Sequence, residues 1–158
     1  MSRLAKKVAR RMAGALLALA AVAAVLVPVA ARRAAASEFY VVIVNQENPL
    51  SVLPASEVSR IFLKRSERWP NGELILPIDL PEGSPVRESF SKEVHDRSTA
   101  AIRAYWQQLI FSGRGLPPPE KASGADIVEY VRSHRGGIGY VSVRTSLGAG
   151  VKVLKVTD

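Results

Sequence analysis

The segment that most constrains the fold is 39–46, with the sequence FYVVIVNQ. It is nearly continuous in apolar character up to Asn45 and rich in β-branched and aromatic residues. A continuous apolar run of this length is typical of a strand that is buried on both faces of its sheet. Such a strand requires helices above and below it. The sequence therefore predicts a parallel or mixed sheet covered by helices.

The rest of the chain supplies those helices and further strands. Apolar residues recur at helical spacing in four segments, which cover 54–63, a stretch starting at Pro85, 98–113 and 123–137. Short apolar, β-rich runs predict three more strands at 73–80, 137–143 and 151–156. Pro77 places the first of these at a sheet edge or at a local break. The order β-α-β-α-α-α-β-β predicts an α/β sandwich with a small mixed sheet flanked by helices.

Residues 1–36 have the composition of an export signal. Five basic residues precede Met12, the run 12–30 carries no charge, and Ala34–Ala36 forms a small-residue cleavage motif, with 29–31 as a competing one. The alternative is an uncleaved membrane anchor, because the apolar run is long enough to span a bilayer. We therefore expect a single domain at 37–158 that is periplasmic or otherwise exported, and membrane-anchored if the signal stays uncleaved.

This signal segment also accounts for the charge of the chain. The formal net charge is +8, but seven of the 22 Lys and Arg residues and none of the 14 acidic residues lie in 1–36. Residues 37–158 therefore carry 15 basic and 14 acidic side chains, a net charge of +1. The high pI gives no argument for nucleic acid as a partner, and no nucleic-acid-binding motif is present.

The residue types restrict the chemistry further. The chain has no cysteine, so thiol catalysis, disulfides and cysteine metal sites are excluded. Its two histidines, His95 and His134, are expected near helix ends at the surface, and neither belongs to a cluster with metal-ligand spacing. No G-x-S-x-G nucleophile motif occurs. We expect a protein without a catalytic site, a metal or a cofactor.

The stretch 80–90, LPEGSPVRESF, is the candidate site. Ser84 stands where an N-cap belongs and Pro85 at the first helical position, which is a complete structural explanation. The same helix start collects free N–H groups at the positive end of the dipole, where an anion can bind. Gly83 permits close approach to the backbone, and Arg87 adds a planar positive charge. From the sequence, this stretch can be interpreted either as a helix cap or as an oxyanion site.

A second candidate contact is Arg114, which lies between two glycines in the loop FSGRGL. Its side chain is expected to be exposed, where it can meet a ligand, a partner or water. The loop from Arg114 to Pro119 is accordingly the candidate surface for a protein partner.

Several segments together resemble a known family. VNQENP, SEVSRIFL, RWPNG, LPIDLPEGSPVRESF, YWQQLIFSGRG and GGIGYV resemble the PstS-like periplasmic phosphate-binding proteins of ABC transporters, which have the type II periplasmic binding fold. The resemblance covers nearly all of 37–158. It extends to only one of the two α/β lobes that close on the ligand in those proteins.

The resemblance implies a site and a function. In the family, a Gly-Ser-Gly-Thr turn gives hydroxyl and N–H groups to phosphate; here Gly83 and Ser84 match, Pro85 replaces the second glycine and Val86 replaces the threonine. The implied ligand-binding residues are Gly83, Ser84, Val86 and Arg87. The implied function is that of an exported, non-catalytic solute-binding protein for inorganic phosphate or a related oxyanion.

The implied partner is a membrane transporter or receptor component of an ABC-type phosphate uptake system. The alternative is a periplasmic single-lobe adaptor or sensor with little ligand affinity. A homodimer could in either case bring two lobes together.

Overall fold

The computed structural model describes residues 40–158, so the signal prediction for 1–36 lies outside the described residues. Residues 40–158 belong to one compact unit. Among the helices of the described part of the chain, none has the length and apolar character needed to cross a membrane.

The sheet has five strands in the order β2-β5-β1-β4-β3. The strands are β1 (Tyr40–Asn45), β2 (Val52–Pro54), β3 (Leu76–Pro77), β4 (Gly137–Ser142) and β5 (Val151–Thr157). The central strand β1 runs antiparallel to both β4 and β5, whereas β2 is parallel to β5 and β3 is parallel to β4. The predicted mixed sheet is thus confirmed.

The described residues form four helices, of which three cover the two faces of this sheet and the third in chain order packs on its predecessor. They are α1 (Ala55–Phe62), α2 (Pro85–Val94), α3 (Thr99–Phe111) and α4 (Gly124–Ser133). Gly139 of β4 lies against α4, while its neighbour Tyr140 stacks on Phe90 of α2. Since successive residues of a strand point to opposite faces, α4 and α2 lie on opposite sides of the sheet. Ile43 and Val44 of β1 are both fully buried, as the apolar run predicts.

The structure differs from the sequence prediction at two strands. β2 was not predicted, because its three residues fall in a stretch that resembles a loop. The predicted strand 73–80 is reduced to Leu76–Pro77, with Ile78 adding one further hydrogen bond from its N–H to the Ile138 carbonyl at 3.0 Å. Pro77 has no N–H to continue a ladder on its other side, and β3 is an edge strand.

The core on the α2 side is built from aromatic rings. The Phe90 and Tyr140 rings stack at 3.9 Å between centroids, and Phe62 meets Phe90 edge-on at 4.8 Å. Trp69 and Trp106 are both buried. Trp69 belongs to this main core, whereas Trp106 packs on the inner face of α3.

Three glycines around the start of β4 allow close packing. A Cβ on Gly136 would lie 1.9 Å from the Leu74 carbonyl oxygen, and one on Gly139 would lie 2.5 Å from Ile127 of α4. A Cβ on Gly137 would lie 2.8 Å from the His134 carbonyl oxygen. The segment GGIGYV therefore has glycine at positions 136, 137 and 139 because neighbouring backbone or α4 side chains approach too closely there for a Cβ.

His95 lies at the end of α2, as predicted, but it is half-buried rather than exposed. Its Nδ1 lies 2.8 Å from the Ser59 hydroxyl and its ring packs edge-on against Phe90 at 5.4 Å. Burial, helped by the charges of Arg97 and Arg87, lowers the pKa of His95 to about 4. The unfolded chain, with a histidine pKa near ~6.5, therefore binds more protons than the folded protein between these values.

Stability should accordingly be highest above about pH 6.5 and fall as the pH drops towards 4, because protonation favours the unfolded state. We expect His95 to account for a loss of about 1–3 kcal/mol in the free energy of unfolding across that window. Urea titrations at pH 7 and pH 4.5 measure this loss. His95→Gln should lose less on acidification than wild type, while His134→Gln should follow wild type. Equal losses for His95→Gln and wild type would rule out this assignment.

Candidate functional site

The start of α2 has the geometry of a capped helix. Ser84 is extended, with φ −75° and ψ 125°, and its hydroxyl oxygen accepts the Arg87 N–H at 3.4 Å. Pro85 has no N–H, and the Glu88 N–H is bonded to the Ser84 carbonyl at 3.0 Å. The helix-cap interpretation is confirmed. Of the N–H groups in the first turn, that of Val86 is left for a ligand or water.

The start of α2 forms part of the wall of a cavity of about 270 Å³. The cavity lies between the first residues of α2, the first residues of α4 and the turn that follows β4. Four lining residues carry hydroxyl groups: Ser84, Ser123, Ser142 and Thr145. The other lining residues are apolar or glycine: Leu80, Pro81, Val86, Ala122 and Gly124. Two helix N-termini therefore meet at one cavity whose lining residues carry no charge.

The α4 side of the cavity follows from local sequence. The Ser123 hydroxyl accepts the Asp126 N–H at 3.2 Å and donates to the Asp126 carboxylate at 2.6 Å, so Ser123 is the N-cap of α4. The turn after β4 is closed by the Thr145 N–H, which donates to the Ser142 carbonyl at 2.9 Å. A Cβ on Gly124 would lie 3.0 Å from the Thr145 hydroxyl oxygen, so Thr145 sits directly against the start of α4.

Arg87 does not line this cavity. Its side chain is buried, its Nη2 lies 3.1 Å from the Asp79 carboxylate, and its Nη1 donates to the Leu80 carbonyl and to Glu120. Of the residues predicted for an oxyanion site, the structure brings Ser84 and Val86 to the cavity and leaves Gly83 exposed beside it. The Arg87 guanidinium is directed to the two carboxylates instead.

Asp79 is the centre of this buried polar network. Its Oδ1 accepts the Tyr140 hydroxyl and, at 2.8 Å, the Leu80 N–H. Burial raises the pKa of Asp79, while Arg87 and the Tyr140 hydroxyl oppose that shift by stabilising the carboxylate. Burial next to Asp79 also raises the pKa of Tyr140 far above its usual value. The network fixes Asp79 and Leu80, and Leu80 forms part of the cavity wall.

The same network anchors the loop after α3. The Asp79 N–H donates to the Pro119 carbonyl and the Lys121 N–H donates to the Asp79 carbonyl, both at 2.9 Å. Glu120, which lies between these two residues, binds Arg87. The loop is thereby held beside β3 and leads into Ala122 and Ser123 of the cavity wall.

Arg114 is exposed, as predicted, and lies on this loop away from the cavity lining. Its backbone N–H donates to the Leu109 carbonyl, and its side-chain Nε donates to the Ser112 hydroxyl, both at 2.9 Å. Large apolar side chains stand beside it in sequence: Phe111 is 90% exposed, Leu116 66% and Ile110 45%.

The chemistry available at the cavity is that of neutral donors. Hydroxyl groups, one backbone N–H and the dipole of α2 favour a small anion. No group of three or more His, Cys, Asp or Glu residues in 40–158 comes together in a way that could hold a metal ion. Of the residues that line the cavity, the sequence analysis names Ser84 and Val86 as candidate ligand contacts and does not name Ser123, Ser142 or Thr145.

Comparison with known proteins identifies solved structures that have a similar fold. No protein-family model matches the sequence, and no curated protein matches it. Among solved structures, the chain is similar to an ABC-type phosphate transport receptor from Vibrio cholerae, with a TM-score of 0.59 and 17% identity over 76% of this chain. It is also similar to PstS from Borrelia burgdorferi, with a TM-score of 0.53 and 13% identity over 76% of this chain.

The match covers 47% of each of those two proteins, so the chain spans about half of their length. At these identities the similarity establishes the fold. The resemblance noted in the sequence is thereby confirmed at the level of architecture. Residues 40–158 have the mixed α/β fold of a single lobe of a PstS-type periplasmic binding protein.

Proposed function

We propose that this chain is an exported, non-catalytic solute-binding lobe that binds phosphate or a related oxyanion and serves an ABC-type phosphate uptake system. The observation that carries this proposal is the 270 Å³ cavity, where the N-termini of α2 and α4 meet four hydroxyl groups. The structural neighbours support the ligand class, since they are described as a phosphate transport receptor and as PstS. Export rests on the composition of residues 1–36.

The α2 side of the cavity offers the better hydrogen-bond donors for an anion. The Val86 N–H and the Ser84 hydroxyl face the ligand there, at the positive end of the α2 dipole. A Cβ on Gly83 would meet nothing within 4 Å, so the approach beside the turn is open. On the α4 side, Asp126 already places a carboxylate on the helix start, so that side contributes mainly the Thr145 and Ser142 hydroxyls.

Arg87 acts indirectly in this proposal. Its guanidinium binds Asp79, Glu120 and the Leu80 carbonyl, and so it positions the chain segment that leads into Gly83 and Ser84. Arg114 is assigned to a protein partner rather than to the ligand, because it belongs to the exposed loop after α3.

Thr145→Val tests the anion site most cleanly. The change keeps the β-branched shape and removes one hydroxyl, and Thr145, unlike Ser84, caps no helix. Losing one neutral hydrogen bond to the ligand costs about 0.5–1.5 kcal/mol, so we expect phosphate affinity to fall about two- to tenfold. Calorimetric titration with phosphate and with sulfate measures this change.

Thr157→Val is the matched control, because Thr157 is half-buried at the end of β5 and lines no part of this cavity. It should bind phosphate as wild type does. Equal affinity of Thr145→Val and wild type would move the site elsewhere. Folded wild type that releases no heat at millimolar phosphate would instead favour the adaptor function, for which the exposed Phe111 and Leu116 are the supporting observation.

A further inference from the structure

The connection between β4 and β5 carries two of the four hydroxyl groups of the cavity. Ser142 is the last residue of β4 and Thr145 follows in the turn, and both line the cavity. Residues 143–150 then lead to Val151, the first residue of β5. A surface loop is more mobile than the elements that it connects. The contacts that fix this loop therefore determine how well the two hydroxyl groups are placed.

The loop contacts α4 near both ends of that helix. At the start of α4, a Cβ on Gly124 would lie 3.0 Å from the Thr145 hydroxyl oxygen, so these two residues lie side by side. In the last turn of α4, Arg132 donates from Nε to the Ala149 carbonyl at 2.9 Å and from Nη2 to the Leu147 carbonyl at 3.2 Å. The segment that carries Thr145 is thus attached to one helix at two places.

Two glycines let the loop backbone pass close to this arginine. Gly148 and Gly150 have φ values of 64° and 87°. A Cβ on Gly148 would lie 3.2 Å from Nη2 of Arg132, and a Cβ on Gly150 would lie 2.8 Å from Cγ of Arg132. The backbone therefore curls around the arginine side chain in left-handed conformations that glycine adopts without strain.

The guanidinium group of Arg132 is itself oriented by an acidic residue. Its third nitrogen, Nη1, lies 2.6 Å from the Glu129 carboxylate, which is three residues earlier on the same helix. The rigid fork then directs Nε and Nη2 to the loop. Within residues 40–158, the hydrogen bonds that reach the backbone of 146–149 all come from Arg132.

We propose that Arg132 is a positioning residue of the anion site and holds the loop so that the Thr145 and Ser142 hydroxyl groups face the cavity. The inference rests on the proposed function, because the position of these groups affects binding only if the cavity takes an oxyanion. Arg132 does not line the cavity. It acts through the carbonyl groups of Leu147 and Ala149, which are two and four residues after Thr145.

Calorimetric titration of full-length Arg132→Met with phosphate tests the proposal. We expect binding to weaken about two- to tenfold, as for Thr145→Val, because the loss arises at the same hydroxyl group. Arg135→Met is the matched control. It removes the same charge, but Arg135 pairs with Glu47 and Glu73 and not with the loop. Equal affinities of wild type and Arg132→Met would overturn the proposal, and so would an equal loss in Arg135→Met.

A double-variant cycle separates positioning from a general effect on the fold. In a protein that already carries Thr145→Val, adding Arg132→Met should weaken binding by less than about twofold, since the hydroxyl group that Arg132 positions is gone. Losses that multiply would mean that Arg132 acts elsewhere and would overturn the proposal. Melting curves confirm that each variant is folded at the temperature of the titration.

Amide hydrogen exchange tests the loop without any ligand. The Thr145 N–H donates to the Ser142 carbonyl at 2.9 Å, and the Gly150 N–H donates to the Gln46 side-chain oxygen at 3.1 Å. Both amides should exchange about tenfold faster in Arg132→Met than in wild type, because the loop opens more often. Unchanged exchange would overturn the inference. Faster exchange in a protein whose wild type binds no phosphate would refute the proposed function and leave the role of Arg132 in the loop standing.

Discussion

Arg87→Met is expected to lower the free energy of unfolding by about 3 kcal/mol, because it leaves the buried Asp79 carboxylate without its counter-charge. The Arg87 side chain is 9% exposed and that of Asp79 is 11% exposed, so water replaces little of the lost interaction. Asp79 would keep the Tyr140 hydroxyl and the Leu80 N–H, which limits the loss. Urea unfolding at pH 7 measures the change.

The control for this prediction is Arg60→Met. Arg60 pairs with Glu57 at 3.5 Å on the surface of α1, where the arginine is 59% exposed, so its loss should cost less than about 1 kcal/mol. The double variant Asp79→Asn with Arg87→Met should recover part of the stability lost in Arg87→Met, since it removes the unpaired charge. If Arg87→Met were no more harmful than Arg60→Met, the network would have no structural role.

Gly136→Ala is expected to cost about 3 kcal/mol or more, because its Cβ would lie 1.9 Å from a backbone oxygen that cannot rotate away. Relieving this overlap means moving residues 74–76 away from the start of β4. That movement would stretch the bond from the Leu76 N–H to the Gly136 carbonyl, which is 2.9 Å long. It would also disturb the bond from Trp69 Nε1 to the same carbonyl, at 3.2 Å.

Gly83→Ala is the matched substitution, since its Cβ would meet nothing within 4 Å and its backbone does not require glycine. We expect it to change stability by less than about 1 kcal/mol, with a small gain the more natural outcome. Thermal melting of both variants beside wild type separates the two cases. Similar melting temperatures for Gly136→Ala and Gly83→Ala would mean that the 74–76 segment can yield without cost.

The parts of the fold that sequence could predict are those with a local signal. α3 and α4 follow from apolar residues at helical spacing, and β1 follows from its unbroken apolar run. β2 has no such signal. Its three residues become a strand because β5, about a hundred residues later in the chain, pairs with them through Val52 and Lys155.

At the candidate site, too, local features could be predicted from the sequence and long-range contacts could not. The N-cap at Ser84 is a local feature, and it was predicted correctly. The direction of the Arg87 side chain is decided by Asp79 and by Glu120, which is 33 residues away, so helix geometry alone could not reveal it. The contribution of Ser142 and Thr145 depends on the turn after β4 reaching the start of α4, and no spacing in the sequence indicates that contact.

The position of β1 at the centre of the sheet has a consequence for how the protein acquires its structure. The first described strand pairs on both sides with the last two, so the contacts that close the sheet join residues about a hundred positions apart. Such topologies fold slowly, since a long loop must close before those contacts form. Until Val151–Thr157 is available, neither β1 nor β2 has its full set of partners. A nascent chain that lacks these residues therefore cannot complete its sheet, so it stays without its native strand pairing until they have been synthesised.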